Sequence, residues 1–176
     1  IRYSYESTSS AIKIWKCNKF TGSVESINII PSNVLKVKVK GFYIIWDVSI
    51  QKKVKKLRAN KLPVETGGIL LGYIDQVQSK IFVVDACSSP NDSVQECTGF
   101  VRGKEGLEDI VDESKRRTGD IVGYIGEWHS HPDGYSSMAS QQDLKLLSTL
   151  ANSLNSEGLP AVMLIVGKNG ENWYIK

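Results

Sequence analysis

Apolar residues along this chain switch between alternating and three-to-four spacing, and the switches mark out its elements. Ala11-Ile12-Lys13-Ile14-Trp15 alternates, Thr21-Gly22 supplies a turn, and Val24 to Ile30 runs extended as far as Pro31. That pattern predicts a β-hairpin over residues 11–30. Val34 to Val39 is extended before a break at Lys40-Gly41, and Phe42 to Trp46 reads as a buried strand. Asp47 or Ser49 can cap a helix carrying Ile50, Val54 and Leu57 at i, i+4 and i+7, closing near Asn60 and Pro63. Ile69 to Ile74 and Lys80 to Ala86 read as strands joined by a polar turn, and residues 87–99, rich in Ser, Asn and Asp, as a loop. Leu107, Ile110 and Val111 mark a second helix that ends near Arg117 and Gly119. Ile121 to Trp128 is a strand, and Ser140 opens a third helix with Leu144, Leu147, Leu150 and Leu154 on one face. Ala161 to Val166 and Asn172 to Ile175 are strands around a Lys168-Asn169-Gly170 turn.

Strands and helices interleave, with hairpins at both ends. This argues for an α/β protein, a layered mixed β-sheet flanked by helices, with an N-terminal β-hairpin extension. The expected division is an extension over residues 1–41 and a main domain over 42–176. The chain opens on Ile1 rather than Met. It therefore reads as a fragment or processed form, and the hairpin as compatible with the tail of an upstream module.

Composition narrows the function classes. At 176 residues the chain can bury one good core. A hydrophobic content of 41% with 23% charged residues belongs to an ordinary soluble globular protein. A formal charge of +3 is too slight to argue for a nucleic-acid partner. Lys52, Lys53, Lys55, Lys56 and Arg58 cluster at helical spacing, which reads as a solvated helix face. No apolar run has membrane-spanning length and no signal-peptide pattern opens the chain, so no membrane partner is expected. Cys17, Cys87 and Cys97 form no CxxC pair, and they read as reduced thiols of a cytoplasmic protein.

The candidate chemistry is concentrated in Glu127-Trp128-His129-Ser130-His131-Pro132, which holds the only two histidines of the chain. Residues i and i+2 of an extended segment share a face, so His129 and His131 can present two imidazoles to one point. Asp143 follows at the start of the next predicted helix. Two nitrogens and one carboxylate oxygen, with a fourth position open, make the ligand set of a catalytic zinc site. Ser140-Gln141-Gln142-Asp143 also has the form of a helix capping box, and Ser140 can start the helix while Asp143 leans toward the metal. Hydrolysis also needs a carboxylate base that is not itself a ligand. Glu65, ahead of Gly67-Gly68, and Glu127 are the candidates, and Glu127 can instead hydrogen-bond behind the ligands. The paired glycines suggest close backbone approach, as beside a bound chain or cofactor.

Taken together, Glu65 with Gly67-Gly68-Ile69-Leu70-Leu71-Gly72, then His129-Ser130-His131-Pro132, then Ser140-Gln141-Gln142-Asp143, resembles the JAMM motif of the MPN+/JAB metalloproteases. The wording Gly126-Glu127-Trp128-His129-Ser130-His131-Pro132 is similar to the bacterial JAB group. The resemblance covers roughly residues 42–176, and eight residues separate His131 from Ser140 where the commonest pattern of the family has seven. It implies a cytidine-deaminase-like layered fold and one zinc ion per chain held by His129, His131 and Asp143. It further implies that Glu65 activates the attacking water and that Ser140 donates a hydrogen bond to the oxyanion. The implied substrate is a ubiquitin-like or conjugated partner protein cut after its C-terminal glycine. Relatives of this kind occur beside ubiquitin-activating (ThiF-like) and conjugating-like proteins, including in antiphage operons. The hairpin would then be the tail of an activating-enzyme-type module. Gly67-Gly68 would suit a substrate tail that adds alongside a sheet edge. Processing of small sulfur-carrier proteins or peptide adducts, and a binding scaffold without turnover, remain as alternatives.

Overall fold

The structure is a computed structural model that describes residues 12–17, 20–29, 33–154 and 158–176. They fall into two compact units that divide between Val34 and Leu35. In the first unit, β1 (Ile12–Cys17) and β2 (Val24–Ile29) form an antiparallel ladder in which Ile12 pairs with Ile29 and Cys17 with Val24. The expected hairpin is present. Its flanking residues Ala11, Ile30 and Pro31 lie outside the described residues.

From Val34 the elements follow as β3 (Val34–Val39), β4 (Phe42–Asp47), α1 (Val48–Ala59), β5 (Gly67–Asp75), β6 (Lys80–Ala86), β7 (Val94–Glu96) and β8 (Gly99–Val101). After these come α2 (Leu107–Thr118), β9 (Gly123–Ser130), α3 (Gln141–Leu154), β10 (Val162–Val166) and β11 (Glu171–Ile175). Seven of the strands make one mixed sheet in the order β11-β10-β9-β5-β6-β4-β3. The sheet therefore takes in residues 34–39, which the sequence had assigned to the extension. Lys40 and Gly41 adopt φ of 45° and 90°, the backbone of a two-residue hairpin turn rather than of a linker.

The alternation of buried residues distributes the helices between the two faces. On one face α1, capped by the Asp47 carboxylate on the Ser49 N–H at 2.6 Å, packs Ile50 and Val54 against Ile44, Ile81, Leu164 and Trp173. On the other, α2 sets Leu107 against Ile69 and Leu71, and α3 sets Leu147 and Leu154 against Met163 and Ile165. Leu144, expected on the buried face of α3, is 48% exposed.

One irregularity decides which face receives the histidines. Leu70 pairs with Gly126 but Leu71 pairs with Tyr124, so Ile125 is an extra residue in β9. Ile125 and Trp128 both join the core beneath α1, which strict alternation would forbid. The bulge resets the phase, and His129 emerges on the side of α2 and α3. Gly126 takes φ of 155°, and a Cβ there would lie 1.9 Å from the Val162 carbonyl. Only glycine fits that crossing.

The expected loop over 87–99 holds a second small sheet, because β7 and β8 pair antiparallel from Val94 with Val101 to Glu96 with Gly99. Two strands of three residues are too short to display a period-two pattern, and their polar surroundings hid them.

Candidate metal centre

Strand β9 lies beside β5 with His129 paired to Gly67. The pairing continues past the strand ends, where Ser130 N–H donates to the Thr66 carbonyl at 2.7 Å and Thr66 N–H to Ser130 Oγ at 3.1 Å. Glu65 is thereby drawn to the same end of the sheet as the histidines. On the opposite flank, His131 N–H donates to the Val166 carbonyl of β10 at 2.9 Å. Asp143 arrives from the first turn of α3.

These groups meet. One nitrogen each of His129 and His131 and an Asp143 oxygen lie within 4.8 Å of one another. His129 Nε2 is 3.0 Å from Asp143 Oδ1, and His131 Nε2 is 3.5 Å from Oδ2. At His129 this proximity is not an aligned hydrogen bond, since its Nε2 is buried without a partner. His131 donates its Nδ1–H to the Ser136 carbonyl at 2.5 Å, which leaves Nε2 as a lone pair facing Asp143. An orphaned imidazole nitrogen, a second one with its tautomer fixed, and a carboxylate around one point fit a divalent cation of the zinc type.

The electrostatics agree with that arrangement. Burial alone would raise the Asp143 carboxyl, but the facing His129 and His131 imidazoles and Ser140 hold it well below the usual carboxylate range. Interaction with Asp143 pushes His131 above its ordinary value against the effect of burial. Glu65 is shifted upward chiefly by burial, with the two histidines pulling the other way.

Glu65, Ser140 and the three metal-binding candidates all line one cleft of about 840 Å³. Ser140 and Gln142 at the entry of α3 line it together with Phe100 of β8 and Arg102 just after that strand. Val94, Val101, Tyr135 and Leu146 give its rim an apolar character.

One sequence reading changes here. Gly67 and Gly68 are tight because of the chain itself. A Cβ on Gly67 would lie 2.3 Å from the Trp128 carbonyl and 2.6 Å from Phe100 Cε1, and one on Gly68 would lie 2.2 Å from the Cys87 carbonyl. Their strand is interior to the sheet, between β9 and β6, so it offers no edge to an added strand. Glu127 lines the same cleft as the histidines, and its carboxylate is engaged by Arg102, accepting from Nε at 2.9 Å, and by the Tyr124 hydroxyl at 3.4 Å.

Of the basic cluster, the four lysines are exposed but Arg58 is buried, and it donates from Nε to the His131 carbonyl at 2.9 Å. Helical spacing alone could not single it out. Arg102, Phe100 and the whole β7–β8 hairpin were likewise absent from the sequence reading. Cys87 is buried and Cys97 exposed, and neither is in a disulfide.

An α/β domain that gathers a glutamate, a His-Ser-His pair and a helix-borne aspartate into one cleft is a candidate metalloprotein. Residues 47–176 match the family of prokaryotic homologs of the JAB domain, and the chain belongs to that family. It is similar to a CD-NTase/cGAS isopeptidase of Enterobacter hormaechei, 37% identical over 103 residues, or 58% of this chain and 55% of that one. It is also similar to a probable metalloprotease of Sinorhizobium fredii, 27% identical over 109 residues, or 62% of this chain and 66% of that one. The chain thus spans under two thirds of the length of either relative. A protein of Desulfitobacterium hafniense solved in solution shares the fold, with a TM-score of 0.50, 18% identity, and coverage of 74% of this chain and 80% of that one. Among the described residues, no helix is long and apolar enough to cross a membrane.

Proposed function

We propose that this chain is a zinc-dependent isopeptidase or peptidase that cuts after the C-terminal glycine of a ubiquitin-like or otherwise conjugated partner protein. The observation that carries the reading is the convergence of His129, His131 and Asp143 in the cleft that also holds Glu65. His129, His131 and Asp143 would hold one zinc ion. Bound there, the ion supplies Lewis acidity, which polarises a carbonyl and acidifies water.

The chain's own groups do the rest. Glu65, half-buried and of raised pKa, takes a proton from the attacking water as the water oxygen bonds to the carbonyl carbon. It returns that proton to the nitrogen as the C–N bond breaks, so acid and amine leave with the proton count closed. Ser140 Oγ accepts the Asp143 N–H at 3.2 Å, which leaves its own hydrogen free to meet the developing oxyanion. The name of the Enterobacter relative, an isopeptidase, supports a conjugated protein as substrate; the reading extends to a role in antiphage defence in the cytoplasm.

Metal analysis with one mutant tests the reading. About one zinc per chain, with turnover of a C-terminal glycine fusion lost in Glu65→Gln while zinc is retained, is expected. Purified protein that binds no zinc would sink it.

A further inference from the structure

We propose that Arg58 is a positioning residue for the metal centre: it holds the backbone of His131 in place from the opposite face of the sheet. The inference rests on the reading of His131 as a ligand.

The need for such a device follows from the chain. Strand β9 ends at Ser130, and the His131 N–H makes a last ladder contact with Val166. The residue that follows is Pro132, whose nitrogen carries no hydrogen, so the ladder cannot continue through it. His131 therefore stands where regular pairing stops, at the head of the segment that leads to Ser140. A ligand in that position needs some other restraint on its carbonyl side.

Arg58 supplies it. It sits in the last turn of α1, is 7% exposed, and gives its Nε–H to the His131 carbonyl at 2.9 Å. Its Nη2 donates to Asp133 Oδ1 at 2.5 Å. The second Asp133 oxygen meets Lys168 Nζ, from the turn between β10 and β11, at 3.2 Å. One guanidinium thus grips both sides of Pro132, and a lysine from another element braces the same carboxylate. The planar fork makes two directed bonds that a lysine cannot reproduce.

A stability role alone accounts poorly for the arrangement. Burying a guanidinium costs desolvation that an apolar side chain of similar length avoids, so a buried pair is weak evidence of stabilisation. What it does provide is geometry, at the residue whose ring is fixed on its other side by Ser136. Hydrogen-bond partners of the ligating side chains typically control affinity by about 10–100-fold, and Arg58 acts on the same ring through the backbone that carries it.

The test uses the full chain. Zinc affinity by chelator competition and the visible spectrum of the cobalt(II) form are measured for wild type, Arg58→Met, Arg58→Lys and Asp133→Asn. Circular dichroism of the metal-free forms checks the fold. A loss of zinc affinity of about 10-fold or more in Arg58→Met, no rescue in Arg58→Lys, and an altered cobalt band are expected. Asp133→Asn, at a half-exposed site, keeps the fold and shows a smaller loss in the same direction. Folded variants with wild-type affinity and an unchanged cobalt band would overturn the role of Arg58 while leaving the zinc reading intact. Should Arg58→Met not fold, the Asp133→Asn result decides. Failure of wild type itself to bind zinc would remove both.

Discussion

Ser140 and Asp143 exchange hydrogen bonds across the first turn of α3: Ser140 N–H reaches Asp143 Oδ2 at 2.6 Å, and Asp143 N–H reaches Ser140 Oγ at 3.2 Å. The oxygen that completes the cap also lies 3.5 Å from His131 Nε2. Helix initiation and placement of the Asp143 carboxylate are therefore one event, since the cap fixes the rotamer that turns it toward the imidazoles. Ser140→Ala is expected to cost about 1 kcal/mol of stability through the lost cap. It should also lower kcat by about 10²–10³ as the oxyanion donor is lost, with zinc retained. Thermal melting, single-turnover kinetics and metal content separate the effects, and an undiminished kcat would refute the oxyanion role.

The elevated pKa of Glu65 has a kinetic signature. A base must be ionised to accept a proton, so activity falls as pH drops through its pKa. Burial raises that pKa, and the acid limb of kcat/KM is expected above the ordinary glutamate value of about 4.3. A pH profile whose limb sits at or below that value would count against Glu65 as the base.

Gly67→Ala should fail structurally rather than chemically. The new methyl would meet the backbone oxygen of Trp128 at 2.3 Å as well as Phe100. A destabilisation of about 1–3 kcal/mol or more is expected in denaturant unfolding. Removing the ring with Phe100→Ala should not rescue it, because the tighter contact is with backbone. Wild-type stability in Gly67→Ala would disprove the close strand approach.

Removing the metal should lower thermal stability. At a free zinc concentration 100 times its dissociation constant, binding to the folded state contributes about 2.7 kcal/mol. For a chain of this size that corresponds to a fall in Tm of roughly 5–11 °C with a chelator. The triple replacement of His129, His131 and Asp143 by alanine should show no chelator effect, and a shift that survives it would place the metal elsewhere.

The loop that carries β7 and β8 has its own acid sensitivity. Asp92 accepts from Lys104 N–H at 2.8 Å and Glu105 N–H at 3.1 Å, closing the base of the excursion. These bonds, that to Lys104 first, lower its pKa. For a carboxyl depressed in the folded state, the stabilisation is present above the unfolded value of about 3.9 and is lost as pH falls through the folded one. Hydrogen exchange at residues 92–105 should therefore accelerate below that window, and Asp92→Asn should show the faster exchange already at neutral pH. Equal protection in the mutant would rule out the clasp.

The parts of the site that could be read from sequence are those built by local rules. His129 and His131 share a face through strand alternation, and Ser140 with Asp143 is a four-residue capping pattern. Both devices are complete within a few residues. Arg58 could not be read in the same way, because its four lysine neighbours obey the same helical spacing and only the packing of α1 on the sheet separates it from them. Gly67 and Gly68 announced a close approach but not its partner, which comes from Trp128, Phe100 and Cys87, far along the chain. The bulge at Ile125 was hidden too, since it is a relation between β9 and β5 rather than a property of either.

The ladder joining β5 to β9 is made of main-chain hydrogen bonds, so the spacing from Glu65 to the histidines depends little on which side chains surround it. One wall of the cleft, by contrast, comes from the excursion between Ala86 and Leu107, with Val94, Thr98, Phe100 and Val101 among its residues. The candidate metal centre and this wall are thus written in different stretches of the chain. Divergence can rewrite the insert, in length or in sequence, while the reacting groups keep their separation. On the proposed reading, a lineage of such proteins can change the partner it accepts without having to reinvent the cut.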